Sequence, residues 1–218
     1  MPVLLPWFVS ARTEISAYKE LLINFIPNKY KLMNKDTFAI KRKSYIEIGE
    51  IFFWTATINN WQCLLLKDHY KNIIINSLNY LSELEKIDVF GFVIMPNHIH
   101  LIWRINEMNG KETTQGSFLK YTAHEFKKMS KTDTDNSLSS YAVDAQNKAY
   151  EFWKRDSLAI HLFSKEMAYQ KLDYIHYNPC TEYWQLAKEP NDYLFSSAEY
   201  YETGIKNFRF LKDLRDEF

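Results

Sequence analysis

The fold is decided by the stretch from Val89 to Ile105, which reads VFGFVIMPNHIHLIWRI. The apolar run Val89–Met95 is typical of a buried strand, and Pro96-Asn97 interrupts it in the manner of a tight turn. From His98 to Ile105 the side chains alternate in character, which is typical of a second strand. The pattern predicts two antiparallel strands joined by a short turn.

The elements on either side of this hairpin follow one order. Before it, Ile48–Ile58 is rich in β-branched and aromatic residues and predicts a strand, while Asp68–Leu84 has apolar residues at helical spacing. After it, Phe118–Met129 predicts a helix, Tyr150–Phe163 extended chain and Ser164–Tyr177 a further helix. The order predicts an α+β fold, a ferredoxin-like βαββαβ sandwich. Its antiparallel sheet has helices on one face, and a C-terminal helical extension follows.

The chain length suits one domain with two appendages. A chain of 218 residues can bury a sizeable core, and no stretch has the composition of a linker between domains. We place a single folded domain at residues 44–205, an N-terminal extension at 1–43 and a C-terminal tail at 206–218.

Composition narrows the class of protein. The 27 basic and 27 acidic residues give zero net charge, which excludes a global cationic field for nucleic acid. Two cysteines form neither a disulfide framework nor a cysteine-rich zinc site, so we expect a reduced, cytoplasmic protein. No apolar run reaches the roughly 18 residues that span a bilayer, so no membrane partner is expected. The 17% of aromatic residues can stack on bases or simply fill a core.

Two histidines lie on the second strand of the hairpin. Because strand side chains point alternately to opposite faces, His98 and His100 share one face. The other face is the core side, since all its residues are apolar: Ile99, Leu101, Trp103 and Ile105. Two adjacent imidazoles can bind a divalent metal, or they can form hydrogen bonds at a partly exposed surface. The spacing alone leaves both interpretations open.

The helix Phe118–Met129 offers further candidates. Tyr121 and Glu125 are four residues apart and therefore share one side of this helix. If that side faces the two histidines, Glu125 completes a His/His/carboxylate set and Tyr121 lies over the metal. Such a set leaves coordination positions for substrate oxygens and suits Mn²⁺, with Mg²⁺ as the alternative.

Four segments of the chain resemble one family. Gly91–Ile102 is similar to the histidine–hydrophobe–histidine (HUH) segment of single-tyrosine transposases, and Phe118–Ala123 is similar to their tyrosine-bearing helix. Leu172–Pro179 and Pro190–Ser197 resemble their C-terminal signatures. These segments occur in the family's order, and the best resemblance is to the REP-associated tyrosine transposases of bacteria.

The resemblance implies an activity and a set of roles. It implies cleavage and rejoining of single-stranded DNA beside short palindromic hairpins, through a covalent 5′-phosphotyrosine intermediate. It also implies that Tyr121 is the nucleophile, that His98 and His100 bind Mg²⁺ or Mn²⁺, and that Glu125 is the third ligand. The partner is then single-stranded or hairpin DNA, and the sequence does not decide between a monomer and a homodimer.

Basic residues near the expected nucleophile predict where DNA is held. Arg104 shares a strand face with the histidines, and four lysines cluster on or just after the tyrosine-bearing helix: Lys120, Lys127, Lys128 and Lys131. Each phosphate that such a residue neutralises adds salt-dependent affinity. A solvated helix face is the alternative for these lysines.

Three other functions are compatible with parts of this pattern. A relative without activity would bind hairpin DNA without cutting it, although the presence of Tyr121 favours catalysis. An iron oxygenase can use two histidines and a carboxylate, but its usual β-barrel does not fit this helix-rich order. A nucleotide hydrolase with three alternating histidines is disfavoured because Ile102 stands at the third position.

Overall fold

The structure is a computed structural model that describes residues 46–133, 138–145, 148–155 and 157–218. Its central feature is a four-stranded antiparallel sheet. The strands are β1 (Ile51–Thr57), β2 (Ile87–Ile94), β3 (His98–Ile105) and β6 (Leu158–His161), in the spatial order β2-β3-β1-β6. A separate two-stranded ribbon joins β4 (Ala142–Ala145) to β5 (Lys148–Tyr150). The expected N-terminal extension, 1–43, lies outside the described residues.

Four helices accompany these strands: α1 (Asp68–Glu83), α2 (Thr114–Ser130), α3 (Lys165–Tyr177) and α4 (Ala198–Thr203). The order β1-α1-β2-β3-α2-β6 with antiparallel pairing confirms the predicted α+β, ferredoxin-like class. Helix α2 begins one turn before the predicted start at Phe118, because Thr113 caps it by accepting a hydrogen bond from the Gly116 amide. None of the helices in the described part of the chain is both long and apolar enough to cross a membrane.

Helices α1 and α2 pack on one face of the sheet, as predicted. The rings of Trp54 and Trp103 stack there with centroids 4.9 Å apart. Phe118 of α2 meets both rings edge-on, at 6.0 Å and 6.2 Å. We call this face of the sheet, which α1 and α2 cover, the tryptophan face. Ile99 and Leu101 of β3 also point to it.

Helix α3 covers the opposite face, which we call the histidine face. Leu172 and Ile175 pack there with Phe53 and Ile102 in a second buried cluster. Gly91 allows the close approach of helix and sheet, because a Cβ atom at that position would lie 2.7 Å from Leu172 Cδ1. The sequence predicted α3 but did not indicate that this helix closes the second face.

The segment 206–218, which the sequence set apart as a tail, packs against the edge of the sheet. Phe210 and Leu211 are buried, and the Lys212 amide donates a hydrogen bond to the Val89 carbonyl at 2.8 Å. The Leu214 amide donates to the hydroxyl of Tyr201. These contacts make the segment part of the packed structure.

Arg104 lies in an ion-pair network at this edge. Its guanidinium pairs with Asp88 at 2.6 Å and with Glu217 at 2.6 Å, and Lys212 also pairs with Asp88. Burial alone would raise the pKa of Asp88, but the hydrogen bonds from Lys212 and Arg104 outweigh it and hold that pKa below its usual range. In this structure two carboxylates occupy the donors of Arg104, and its contact with DNA stays a prediction.

Arg104→Met should destabilise the protein by about 2 kcal/mol, since it leaves the buried carboxylate of Asp88 with one partner fewer. Urea unfolding of the two proteins measures the difference. Arg215→Met is the matched control, because Arg215 pairs with Asp213 at an exposed position and should cost less than about 1 kcal/mol. Equal losses in the two variants would contradict a stabilising role for the network.

Candidate active site

The two histidines of β3 lie beneath α3. His98 is 1% exposed and His100 is 2% exposed, so both imidazoles are buried. The alternation in β3 places both on the histidine face, as predicted. They are not at a partly exposed surface, which was the alternative to a metal site. The rings of His98 and His100 are neighbours, with centroids 4.7 Å apart.

One nitrogen of each imidazole is held and the other has no partner. The Nδ1 atom of His98 donates to Asn97 Oδ1 at 2.7 Å, and Nδ1 of His100 lies 2.7 Å from Thr55 Oγ1 across the β1–β3 pair. Within the described ranges, the Nε2 atoms of both rings are buried and have no hydrogen-bond partner. A fixed Nδ1 and an available Nε2 are typical of histidines that bind a metal.

Burial keeps both rings in the neutral form that binds metals. Desolvation lowers the pKa of His98 to about 3. The pKa of His100 is also well below its ordinary value, first because of burial and then because a positive charge on His98 or on Lys171 would repel a proton on this ring. Neutral imidazoles with unpartnered Nε2 atoms fit a divalent cation.

Tyr174 of α3 lies directly against the histidine pair. Its ring centroid is 5.4 Å from that of His100 and 6.1 Å from that of Phe53. Desolvation raises the pKa of Tyr174 to about 12. The phenol is therefore protonated in this structure, and a group that attacks from this position needs a nearby positive charge.

Asn178 lies one helical turn beyond Tyr174 and continues the helix, with φ −53° and ψ −46°. Positions four residues apart share a helix side. Beyond α3 the chain continues toward the start of β3, since the ring of Trp184 lies 5.9 Å from that of His98. The Nδ2 atom of Asn178 is buried and has no hydrogen-bond partner among the described residues, so this carboxamide offers polar atoms to a ligand.

The expected placement of Tyr121 and Glu125 beside the histidines is wrong. Both residues are on α2, and the apolar stripe of that helix must face the core. The stripe packs on the tryptophan face, so the sheet separates α2 from the two imidazoles. Tyr121 is 53% exposed, and Glu125 lies 3.8 Å from the ammonium of Lys128.

The lysines expected to bind DNA belong to the same side as α2. Lys120 pairs with Glu112 at 2.6 Å, and the ammonium of Lys127 lies over the ring of Tyr150. Lys128 is near Glu125, and Lys131 is exposed. Their contact with DNA stays a prediction, and the structure does not bring them to the histidine pair.

A third metal ligand of the expected kind is missing. In the described part of the chain, no group of three His, Cys, Asp or Glu residues is close enough to hold a metal. The candidate donors are instead the phenol of Tyr174, which packs against His100, and the carboxamide of Asn178, which shares the side of α3 that carries Tyr174. This set has the same four-residue spacing as Tyr121 and Glu125.

The two site residues that the sequence did not indicate, Tyr174 and Asn178, lie within a segment that resembles the family. Leu172–Pro179 includes Tyr174 and Asn178, whereas the resemblance implies a nucleophile on the helix directly after the hairpin. The signal that could have found them is the apolar pair Leu172 and Ile175, which requires a sheet face of its own. Because α1 and α2 cover the tryptophan face, the histidine face is the one left for α3 to cover.

Trp184 and its neighbours cover the histidines from the side beyond α3. Trp184 lies near His98, and the exposed ring of Tyr183 meets that of Trp184 edge-on at 4.8 Å. Gln185 follows with φ 47°, in the left-handed region that non-glycine residues rarely adopt. The covering segment is thus held in a strained turn.

The fold and this pair of histidines define a class by structure: an α+β protein with two buried histidines on one strand and a tyrosine packed against them. A solved structure of a REP-associated tyrosine transposase bound to a REP hairpin is similar to the chain, with a TM-score of 0.52 and 17% identity. The match covers 84% of this chain and 93% of that one. The chain thus has the fold of the REP-associated tyrosine transposases, in agreement with the resemblance seen in the sequence.

Neither protein-family models nor curated proteins provide a match to the sequence.

Proposed function

We propose that this protein is a metal-dependent nuclease and strand transferase for single-stranded DNA, with Tyr174 as its nucleophile. The observation that carries the proposal is the position of Tyr174 against His100, where both histidines keep a buried Nε2 atom without a partner. The substrate class, DNA with a short palindromic hairpin, is proposed from the similar transposase, whose structure holds a REP hairpin.

His98 and His100 would hold the metal, with Asn178 as a third protein ligand through its carboxamide oxygen. Mg²⁺ or Mn²⁺ suits nitrogen and oxygen donors of this kind. The chemistry that such an ion supplies when bound is neutralisation of charge on a phosphate oxygen. Thr55 and Asn97 hold the two imidazoles in orientation through their Nδ1 atoms.

The covalent step exchanges one phosphate ester for another. Tyr174 Oη attacks the phosphorus, the Oη–P bond forms and the bond from phosphorus to the 3′-oxygen breaks. The phenol loses a proton and the departing 3′-oxygen gains one, so the exchange needs no oxidant and no external energy source. A DNA 3′-hydroxyl can reverse the step, which joins strands without ATP.

The test is the formation of a covalent adduct. The purified protein is incubated with Mn²⁺ and single-stranded oligonucleotides that cover the palindromes beside its own gene. We expect an adduct that survives a denaturing gel, and peptide mass spectrometry should locate it on Tyr174. Hairpin binding that needs no metal and gives no adduct would overturn the proposal in favour of a DNA-binding protein without nuclease activity.

A further inference from the structure

Lys171 is a half-buried cation beside the proposed site. It lies three residues before Tyr174 on α3, and its ammonium is 5.2 Å from the ring centroid of Phe53 and 5.7 Å from that of Tyr174. Its charge is also close enough to His100 to lower the pKa of that imidazole. Lys171 is thus a neighbour of both the expected nucleophile and the expected metal ligands.

No anion balances this ammonium. Within the described ranges, Lys171 has no carboxylate or other hydrogen-bond partner, and burial is the one influence on its pKa, which it lowers. The buried lysine on α1 is matched in this way, since Lys71 pairs with Asp68 at 2.8 Å. The rings around Lys171 stabilise its charge by cation–π contact but accept none of its three N–H bonds in the manner of an oxygen.

A buried charge without a partner costs free energy, and an anion that enters the site would recover it. The imidazoles of His98 and His100 are neutral and add no negative charge of their own. The ammonium of Lys171 is therefore suited to bind a negatively charged oxygen. A phosphodiester within reach of Tyr174 carries one negative charge on its non-bridging oxygens and would balance the ammonium.

We propose that Lys171 binds a non-bridging oxygen of the phosphate that Tyr174 attacks. The inference rests on the proposed function, since it assigns to Lys171 the substrate phosphate of that same reaction. Lys171 would neutralise part of the charge on the phosphate and hold the phosphorus in line with the phenol. Its place one turn before Tyr174 on a rigid helix fixes the two groups relative to each other.

The first test measures hairpin affinity without metal. Fluorescence anisotropy in EDTA follows a hairpin oligonucleotide with a single-stranded extension, over a series of NaCl concentrations. Lys171→Met, which keeps the length and apolar character of the side chain, should reduce the slope of log affinity against log salt by about 0.7, the value for one contact with a single-stranded phosphate. Lys171→Arg should preserve the slope.

Lys165→Met is the matched control. Lys165 is on the same helix and also lies over a tyrosine ring, that of Tyr169, but it is exposed and donates to the carbonyl of Phe218. This variant should leave the slope unchanged. A slope for Lys171→Met equal to that of the wild type would overturn the inference.

The second test uses the covalent reaction. With Mn²⁺, Lys171→Met should form the adduct at least about tenfold more slowly than the wild type, and Lys171→Arg should restore most of the rate. A methylphosphonate at the mapped cleavage position removes the phosphate charge from the DNA side. If Lys171 binds that charge, the substitution and the methylphosphonate together should weaken binding no more than either alone; additive losses would overturn the inference.

The outcomes separate this inference from the proposed function. A wild-type protein that forms no adduct would contradict the nuclease proposal, while the salt dependence would still report on the phosphate contact of Lys171. A wild-type protein that forms the adduct, with Lys171→Met equal to it in rate and slope, would contradict the role of Lys171 alone. Thermal unfolding of each variant checks that the histidine face is intact.

Discussion

Tyr174→Phe should abolish the covalent protein–DNA adduct while the affinity for hairpin DNA remains close to that of the wild type. The substitution removes only the hydroxyl that would bond to phosphorus, and the ring that packs on His100 and Phe53 remains. We expect adduct formation to fall by at least about a thousandfold, because a phenyl ring cannot act as a nucleophile. Denaturing gels measure the adduct, and anisotropy in the same buffer measures affinity.

Tyr121→Phe is the control for this experiment. Tyr121 was the nucleophile implied by the sequence resemblance, but it lies on α2, on the other side of the sheet from His100. Its variant should therefore form the adduct at the wild-type rate. An adduct that persists in Tyr174→Phe and disappears in Tyr121→Phe would restore the original assignment and contradict the one made from the structure.

His100→Gln should remove metal binding together with metal-dependent cleavage. The variant loses an imidazole Nε2 atom that is buried and has no other partner among the described residues. Isothermal titration with Mn²⁺ should show a loss of affinity beyond the 10- to 100-fold that is roughly typical of outer-shell changes. Thr55→Val, which removes only the hydroxyl beside Nδ1 of His100, should fall within that range.

His161→Gln serves as the control for a histidine on the same sheet. His161 is at the edge strand β6, where its Nε2 atom lies 3.0 Å from Glu50. It takes no part in the histidine pair, so its variant should bind Mn²⁺ as the wild type does. Unchanged Mn²⁺ affinity in His100→Gln would exclude this pair as the metal site, even if cleavage were lost for another reason.

Local patterns were sufficient for much of the fold. The alternation in His98–Ile105 predicted both the strand and the separation of its two faces, because a period of two follows from strand geometry alone. Ser164 predicted the start of α3, and its hydroxyl accepts a hydrogen bond from the Met167 amide. The order of the elements was enough to predict the sheet, since few topologies accommodate it.

The site itself depends on tertiary packing that no local pattern contains. Tyr121–Glu125 and Tyr174–Asn178 have identical spacing, and only the sheet face under each helix distinguishes them. Arg104 shows the same effect, since its partner Glu217 is 113 residues away in the sequence. Spacing along one helix identifies side chains that share a side of that helix. Which helix faces the two histidines depends on how the helices pack around the sheet.

The cover over His98 makes entry to the site a gated process. Both Nε2 atoms are buried beneath Tyr174 and Trp184, so we expect metal binding to them to draw on a minor population in which this cover is displaced. The observed affinity is then the intrinsic affinity reduced by the fraction of molecules that are open. Association would then be paced by the opening of the protein, and the closed form would shield the histidines from adventitious metals between encounters with DNA.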